Sequence, residues 1–350
     1  MSGGVDSSVA ALLLKEGGYD VTGMTMCLGV ADGGDSEKAT CCGSTAIEDA
    51  RGICARLGIP HYVLDYSAQL EEQVIRKFIS EYGRGRTPNP CIDCNRYLKF
   101  GKLLATARSS GFDFLATGHY AEIGREGESY FLKRPRDRKK DQTYFLYPIV
   151  SEALPLILFP LAPFTKEEVR MMARQADLPV AEKAESQDIC FVKQKNYQAF
   201  VEGKGLRSKP GVIVDLAGKK LGEHRGVPFY TIGQRSGLGI SSPSPLYVVS
   251  LDALANRVVV GDKSNLHARG LIAGDLNILA AGGRLPSVAE AKIRYRKKAA
   301  RCALFLDEDK LKVIFEETQE AITPGQAVVC YQNDRVVAGG VIEEVLNAAY

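Results

Sequence analysis

Residues 2–8 read Ser-Gly-Gly-Val-Asp-Ser-Ser and run straight into the apolar stretch 9–14 (VAALLL). A glycine pair followed by hydroxyls and a helix-forming run describes a loop that grips phosphate at the start of a helix. Gly3 and Gly4 let the backbone turn tightly enough to aim successive N–H groups at one anion, and Ser2, Ser7 and Ser8 add hydroxyl donors at the positive end of the helix. Val5 and Asp6 complete the heptad. No lysine follows in the loop, so this is not the Walker pattern.

Working outward, residues 19–188 alternate short apolar strands with helices, which predicts parallel βαβ units in a doubly wound α/β sheet. The expected elements are a strand at 20–26, a helix at 45–57, a strand at 61–64, a helix at 69–82, a loop at 83–95, a helix at 97–108 and a strand at 112–117. Ligands of open α/β sheets gather beyond the C-terminal strand ends, so Met26, Gly118 and His119 are expected on one rim with the Ser-Gly-Gly loop. Such a loop is normally fed by a central strand, yet only Met1 precedes Ser2; the pattern therefore predicts a further upstream strand of roughly six apolar residues. Beyond Lys195 the texture changes to short β-type runs at 211–216, 228–238 and 246–251. After Leu266 the runs 271–279, 290–295, 311–315, 327–331 and 336–345 predict a small closed β-barrel. The expected domains are 1–194 (catalytic), 195–265 (central adaptor) and 266–350 (C-terminal barrel).

With 350 residues, 45% of them hydrophobic, the chain can fill a core in each of two or three units. No stretch approaches the roughly 18 apolar residues of a membrane span, and the expected location is cytoplasmic. In a reducing compartment the nine cysteines read as catalytic or ligating before they read as crosslinks. The net charge of +3 hides two basic runs, 133–141 (KRPRDRKKD) and 294–301 (RYRKKAAR). Each lies beside aromatics (Tyr130, Phe131 and Tyr144; Tyr295), which suggests a track for a nucleic-acid backbone.

Residues 87–100 (TPNPCIDCNRYLKF) place Cys91 and Cys94 one helical turn apart if a helix begins there. Cys190 sits in ESQDICF (185–191). Taken with the 2–8 heptad, ATGHY (116–120), KDQTYFLY (140–147), GQRSGLGI (233–240) and TPGQAVV (323–329), the chain closely resembles the tRNA-specific 2-thiouridylases, within the PP-loop N-type ATP pyrophosphatases. The resemblance spans nearly the whole chain in the right order.

The resemblance implies ATP-dependent replacement of the C2 oxygen of wobble uridine 34 by sulfur in the tRNAs for lysine, glutamate and glutamine. AMP is attached to that oxygen, and pyrophosphate stays in the 2–8 cradle. Asp6 is expected to bind Mg²⁺ or to position loop amides. The resemblance makes Cys94 the nucleophile and Cys190 the persulfide carrier, leaving a Cys94–Cys190 disulfide that a reductant opens. A thiolate or persulfide is a competent nucleophile at neutral pH if nearby positive charge lowers its pKa. A cysteine desulfurase or sulfur-relay protein would supply the sulfur. The residues leave a second chemistry open, because Cys91, Cys94 and Cys190 could ligate a [4Fe–4S] cluster with one iron free for sulfide. A zinc site would need a fourth ligand, for which only Cys41 and Cys42 remain.

By the same resemblance Met26 and Gly118 line the nucleotide pocket. Asn89, Pro90 and Cys91 face the target base, and His119, Lys140, Asp141, Gln142, Arg294, Tyr295 and Gln326 contact tRNA. Recognition of an unstacked anticodon loop fits both basic runs. Other outcomes of a PP-loop are an amide-forming adenylating synthetase, for which no N-terminal glutamine-hydrolysing nucleophile is present, and a non-enzymatic RNA-binding module. Cys27, Cys54, Cys302 and Cys330 are expected to be small buried apolar side chains.

Overall fold

The computed structural model describes residues 1–29, 44–184, 189–192 and 196–346. The chain divides into two compact units, Met1–Val74 with Cys91–Lys195, and Ile75–Pro90 with Asn196–Tyr350.

In the first unit, helix α1 (Val5–Glu16) starts at Gly4, whose extended φ of −113° lets the chain enter without a side-chain cap. Asp6 in its first turn and Lys15 in its last suit the helix dipole. The buried face of α1, Val5, Val9, Ala10 and Ala11, packs with Ile53, Leu161, Val169 and Ala173. Strand β1 (Gly23–Cys27) pairs in parallel with β2 (His61–Asp65) from Gly23↔His61 to Cys27↔Asp65. Helix α2 (Ser44–Leu57) lies between them in sequence, and Gly58 at φ +62° ends it. Strand β3 is only Leu115–Ala116, shorter than the run 112–117 predicts. An unforeseen hairpin follows, β4 (Glu122–Glu126) and β5 (Ser129–Lys133), turning at Gly127. Strand β6 (Ile157–Leu158) then pairs in parallel with β3.

Two helical runs depart from the α pattern. Residues 67–83 contain a π-helical segment, Glu71–Ile75, and residues 90–109 contain a longer one, Cys94–Leu103. The second run begins at Pro90 rather than at 97, because proline at a first helical position loses no hydrogen bond and presets φ.

In the second unit β7 (Gly211–Val214), β8 (Lys220–His224), β9 (Tyr247–Asp252) and β10 (Arg257–Gly261) form one sheet in the order β8-β7-β10-β9. The expected strand at 228–238 is instead a 3₁₀ turn, Val227–Phe229, and irregular chain. Gly233, Gly237 and Gly239 there adopt φ of +86°, +77° and +66°, which a strand does not accommodate.

The barrel consists of β11 (His267–Ile278), β12 (Val288–Lys292), β13 (Ala300–Asp307), β14 (Lys310–Glu320), β15 (Ala327–Gln332) and β16 (Arg335–Leu346). Their order is β11-β14-β13-β12-β15-β16, closed by β11 against β16. Leu271, Cys302, Val313, Phe315, Val328 and Ile342 fill it. The sequence reading missed β13, whose inward residues are few and whose outer end is polar or exposed. Tyr295, expected in a strand, lies just past β12.

Candidate active site

The first turn of α1 has no side-chain cap on its N–H groups. Around it the loop is stitched internally: Ser2 N–H donates to Ser7 Oγ at 3.2 Å, the two hydroxyls lie 3.1 Å apart, and Ser7 Oγ donates to the Gly4 carbonyl at 3.1 Å. Ser8 is fully buried with its hydroxyl on the same carbonyl at 2.8 Å, so it fixes the loop and is not the ligand donor the sequence suggests. Val5 is likewise core. Gly3, at φ +64°, could not carry a side chain, since a Cβ would lie 2.5 Å from the Ala46 carbonyl oxygen. Lys183 Nζ ties the Gly3 carbonyl at 2.9 Å to Asp49 Oδ2 at 2.6 Å.

Asp6 Oδ1 is committed within the protein, accepting from Lys166 Nζ at 2.6 Å and from the Tyr120 hydroxyl at 3.0 Å. Lys166 is buried at the first position of the helix Lys166–Gln175, which a Thr165/Glu168 capping box opens. Asp6 thus orients the first turn of α1 through a buried cation.

Gly118 lies against that turn: a Cβ there would sit 2.6 Å from the Asp6 carbonyl carbon and 2.7 Å from Ser7 N. A cavity of about 690 Å³ runs between the β1 and β3 sides of this unit, lined by Ser2, Ser7, Met26, Lys99, Gly118 and His119 among others. The expected rim of Met26, Gly118 and His119 beside the loop is therefore assembled. His119 packs against Phe100 and Phe159, and burial drives its pKa well below the usual histidine value, so its ring is neutral.

Cys91, Cys94 and Cys190 are all free thiols, with Cys91 and Cys190 exposed and Cys94 partly so. Although they reach solvent, they sit in protein-dense surroundings, and desolvation pushes all three pKa values up; that of Cys190 rises to about 11. The condition of a lowered value is therefore not met by any of the three thiols. Lys99 opposes the rise at each of the three.

Among the described residues no group of three or more His, Cys, Asp or Glu side chains is arranged to hold a metal ion. Cys91, Cys94 and Cys190 are therefore not brought together as the donor set an iron–sulfur cluster requires. Cys41, Cys42 and Asp188 lie outside the described residues. Cys54, Cys302 and Cys330 are buried free thiols as expected, whereas Cys27, also buried, is disulfide-bonded.

The basic run 133–141 is largely consumed internally. Lys133 pairs with Glu122 at 2.7 Å, Arg134 with Asp141 at 3.6 Å and Arg136 with Glu168 at 3.1 Å. Asp141 is buried, accepting from Thr143 N–H at 3.0 Å, and Gln142 Oε1 accepts from Tyr120 N–H at 2.8 Å. Asp141 is spent on the fold, whereas Gln142 also lines the cavity, and Lys140 lies beside them.

In the second unit Asn89 precedes Pro90, the first residue of its helix. Arg294 donates to Thr323 Oγ1 at 2.6 Å, Tyr295 stacks under Lys292 at 5.6 Å, and Gln326 donates to the Thr87 carbonyl at 2.7 Å. Arg296, Lys298 and Arg301 are the exposed cations of that run. No helix of the described residues is long and apolar enough to cross a membrane.

A helix N-terminus open to an anion, set beside the end of a parallel strand, defines an α/β unit that handles nucleotide phosphates. Family models agree: residues 1–194 match the tRNA methyl transferase HUP domain, 198–262 the tRNA methyl transferase PRC-barrel domain and 268–342 the aminomethyltransferase β-barrel domain. Three curated relatives are similar along nearly their whole lengths. The tRNA-specific 2-thiouridylase MnmA 1 of Syntrophus aciditrophicus is 60% identical, covering 100% of this chain and 93% of its own. Those of Moorella thermoacetica (50% identical, 99% and 98%) and Carboxydothermus hydrogenoformans (49%, 99% and 97%) follow. The chain belongs to the tRNA-specific 2-thiouridylase family.

Lys99, Lys166 and Lys183 escaped the sequence reading. Lys166 and Lys183 meet their loop partners across 160 and 180 residues, so no local pattern marks them. The signal available for Lys99 was its place inside the cysteine motif.

Proposed function

We propose that this protein uses ATP to replace the C2 oxygen of the wobble uridine of lysine, glutamate and glutamine tRNAs with sulfur. The observation that carries the reading is the cavity bounded by the phosphate loop at Ser2 and Ser7 and by Lys99 on the helix that also bears Cys94. The α1 first turn and the hydroxyls of Ser2 and Ser7 hold the triphosphate, while Met26 and Gly118 border the nucleotide. A carbonyl oxygen leaves poorly; attack of O2 on the α-phosphorus expels pyrophosphate and converts it into an AMP leaving group. Mg²⁺ bound with the phosphates would neutralise the departing pyrophosphate.

Cys190, loaded as a persulfide by a cysteine desulfurase or sulfur-relay protein, attacks C2 through its terminal sulfur and displaces AMP. Cys94 thiolate then attacks Cys190 Sγ, freeing the thiocarbonyl and leaving a Cys94–Cys190 disulfide, which an external dithiol reduces. Cations of the second unit, Arg296 and Lys298 among them, would meet the RNA backbone.

The test is pyrophosphate release that depends on unmodified tRNA, followed by nucleoside analysis for 2-thiouridine. Cys94→Ala and Cys190→Ala should each abolish thiolation with ATP binding intact. Thiolation that persists in the Cys190 variant refutes the relay, and pyrophosphate release indifferent to tRNA refutes the whole reading.

A further inference from the structure

The helix that carries Cys94 changes its winding at that residue. Cys94–Leu103 is a π-helix, whose backbone bonds run from i to i+5. In an α-helix the neighbours on one face are three and four apart, so residues 94 and 99 would diverge. In the wider winding, residues five apart are hydrogen-bonded neighbours only slightly past one turn, which brings Lys99 toward the face of Cys94. Gly101 permits this geometry: a Cβ there would lie 2.8 Å from the Arg96 carbonyl oxygen, five residues back.

The ammonium is aimed from the other side by His119. Lys99 Nζ lies 3.5 Å from His119 Nε2, and His119 Nδ1 lies 2.8 Å from Thr117 Oγ1. A lysine ammonium has protons and no lone pair, so it donates and Nε2 accepts, which places the imidazole proton on Nδ1 toward Thr117. The neutral ring therefore orients the cation without neutralising it. No carboxylate among the described residues lies within ion-pair distance of Lys99.

We propose that Lys99 is the positioning residue that favours the thiolate form of Cys94 against the burial around it, held in register by the π-helix and by neutral His119. The proposal rests on the reading of Cys94 as the attacking sulfur. The thiol loses its proton to solvent, since His119 Nε2 is already occupied by the lysine. Burial alone raises the Cys94 pKa, Asp93 on the same helix raises it further, and Lys99 is what opposes them. Cys190, from the segment 189–192, feels Cys94 and Cys91 as like charges and Lys99 as the opposite one. Lys99 is thus the cation that acts on all three thiols.

The test is peptide-resolved alkylation of Cys94 by iodoacetamide across the thiol range in the full chain, with melting curves to show that each variant is folded. Lys99→Met should move the midpoint up by about one unit, slowing alkylation roughly tenfold below it. Lys99→Arg should restore most of the rate. Gly101→Ala should also raise the midpoint although it keeps the lysine, because the five-residue register is lost. An unchanged midpoint in folded Lys99→Met overturns the proposal; if that variant does not fold, an unchanged midpoint in Gly101→Ala does so. Alkylation requires neither ATP nor tRNA. A wild-type chain that thiolates tRNA with no Lys99 effect sinks this inference alone, whereas a clear Lys99 effect without thiolation sinks the proposed function alone.

Discussion

Replacing Gly118 by alanine should separate nucleotide binding from general folding more sharply than any change in the loop itself. The added methyl would lie 2.6 Å from the Asp6 carbonyl carbon, 2.7 Å from Ser7 N and 2.8 Å from the Asp6 oxygen. All three are backbone atoms, so no side chain can swing aside, and the first turn of α1 must retreat by about an ångström to regain van der Waals distance. Overpacking of this kind costs about 1–3 kcal/mol, and the rigid surroundings favour the upper end. That corresponds to a melting temperature roughly 6–12 °C lower for a unit of this size. The displaced amides are also those to which the proposed function assigns the triphosphate. Losing one good hydrogen bond to a charged group costs about 1.5–3 kcal/mol, or roughly ten- to a hundredfold in ATP affinity. Thermal scanning and calorimetric titration with ATP, run well below the melting range, measure the two effects separately. A Gly118→Ala protein with wild-type melting and wild-type ATP affinity would refute the contact between this glycine and the loop.

Lys166→Met strips Asp6 of its buried cation; breaking such a pair costs about 3–5 kcal/mol, but Asp6 is 33% exposed and keeps the Tyr120 hydroxyl, so about 2 kcal/mol is expected in urea unfolding. Lys166→Arg should lose less, and a urea midpoint unmoved by the methionine would contradict the assignment. In the barrel, burial pushes the Cys302 pKa up from 9.0 to about 12. The folded form holds its proton where the unfolded chain has released it, so this contribution is complete below pH 9 and lost as pH climbs toward 12. Cys302→Ala should flatten that alkaline decline while lowering stability at neutral pH, and an alkaline limb identical to wild type would exclude Cys302 as its source.

The glycine loop was legible because its requirements are local: Gly3 must turn, Gly4 must admit the chain, and the following run must be helical. The barrel was legible from period-two runs between turns, except at β13, where Cys302 and Leu304 give too short an inward series. The helix start at Pro90 was hidden by two prolines that read as a stiff loop. Ser8 reads as a ligand donor in the heptad, and only its depth in the core shows where its hydroxyl goes. The thiols illustrate a different limit. A cation near Cys94 could be guessed from the motif, but the desolvation that outweighs it depends on how densely the rest of the unit packs around it. Likewise the run 133–141 is basic on paper, yet Glu122 and Glu168, distant in sequence, take up its charges.

Lys183 holds the carbonyl of Gly3 with the same ammonium that grips Asp49, and the chain continues from it toward Cys190. One lysine thus moors the turn of the phosphate loop to α2. Exchanging Lys183 for a neutral side chain would release the Gly3 peptide and the first half of α2 together.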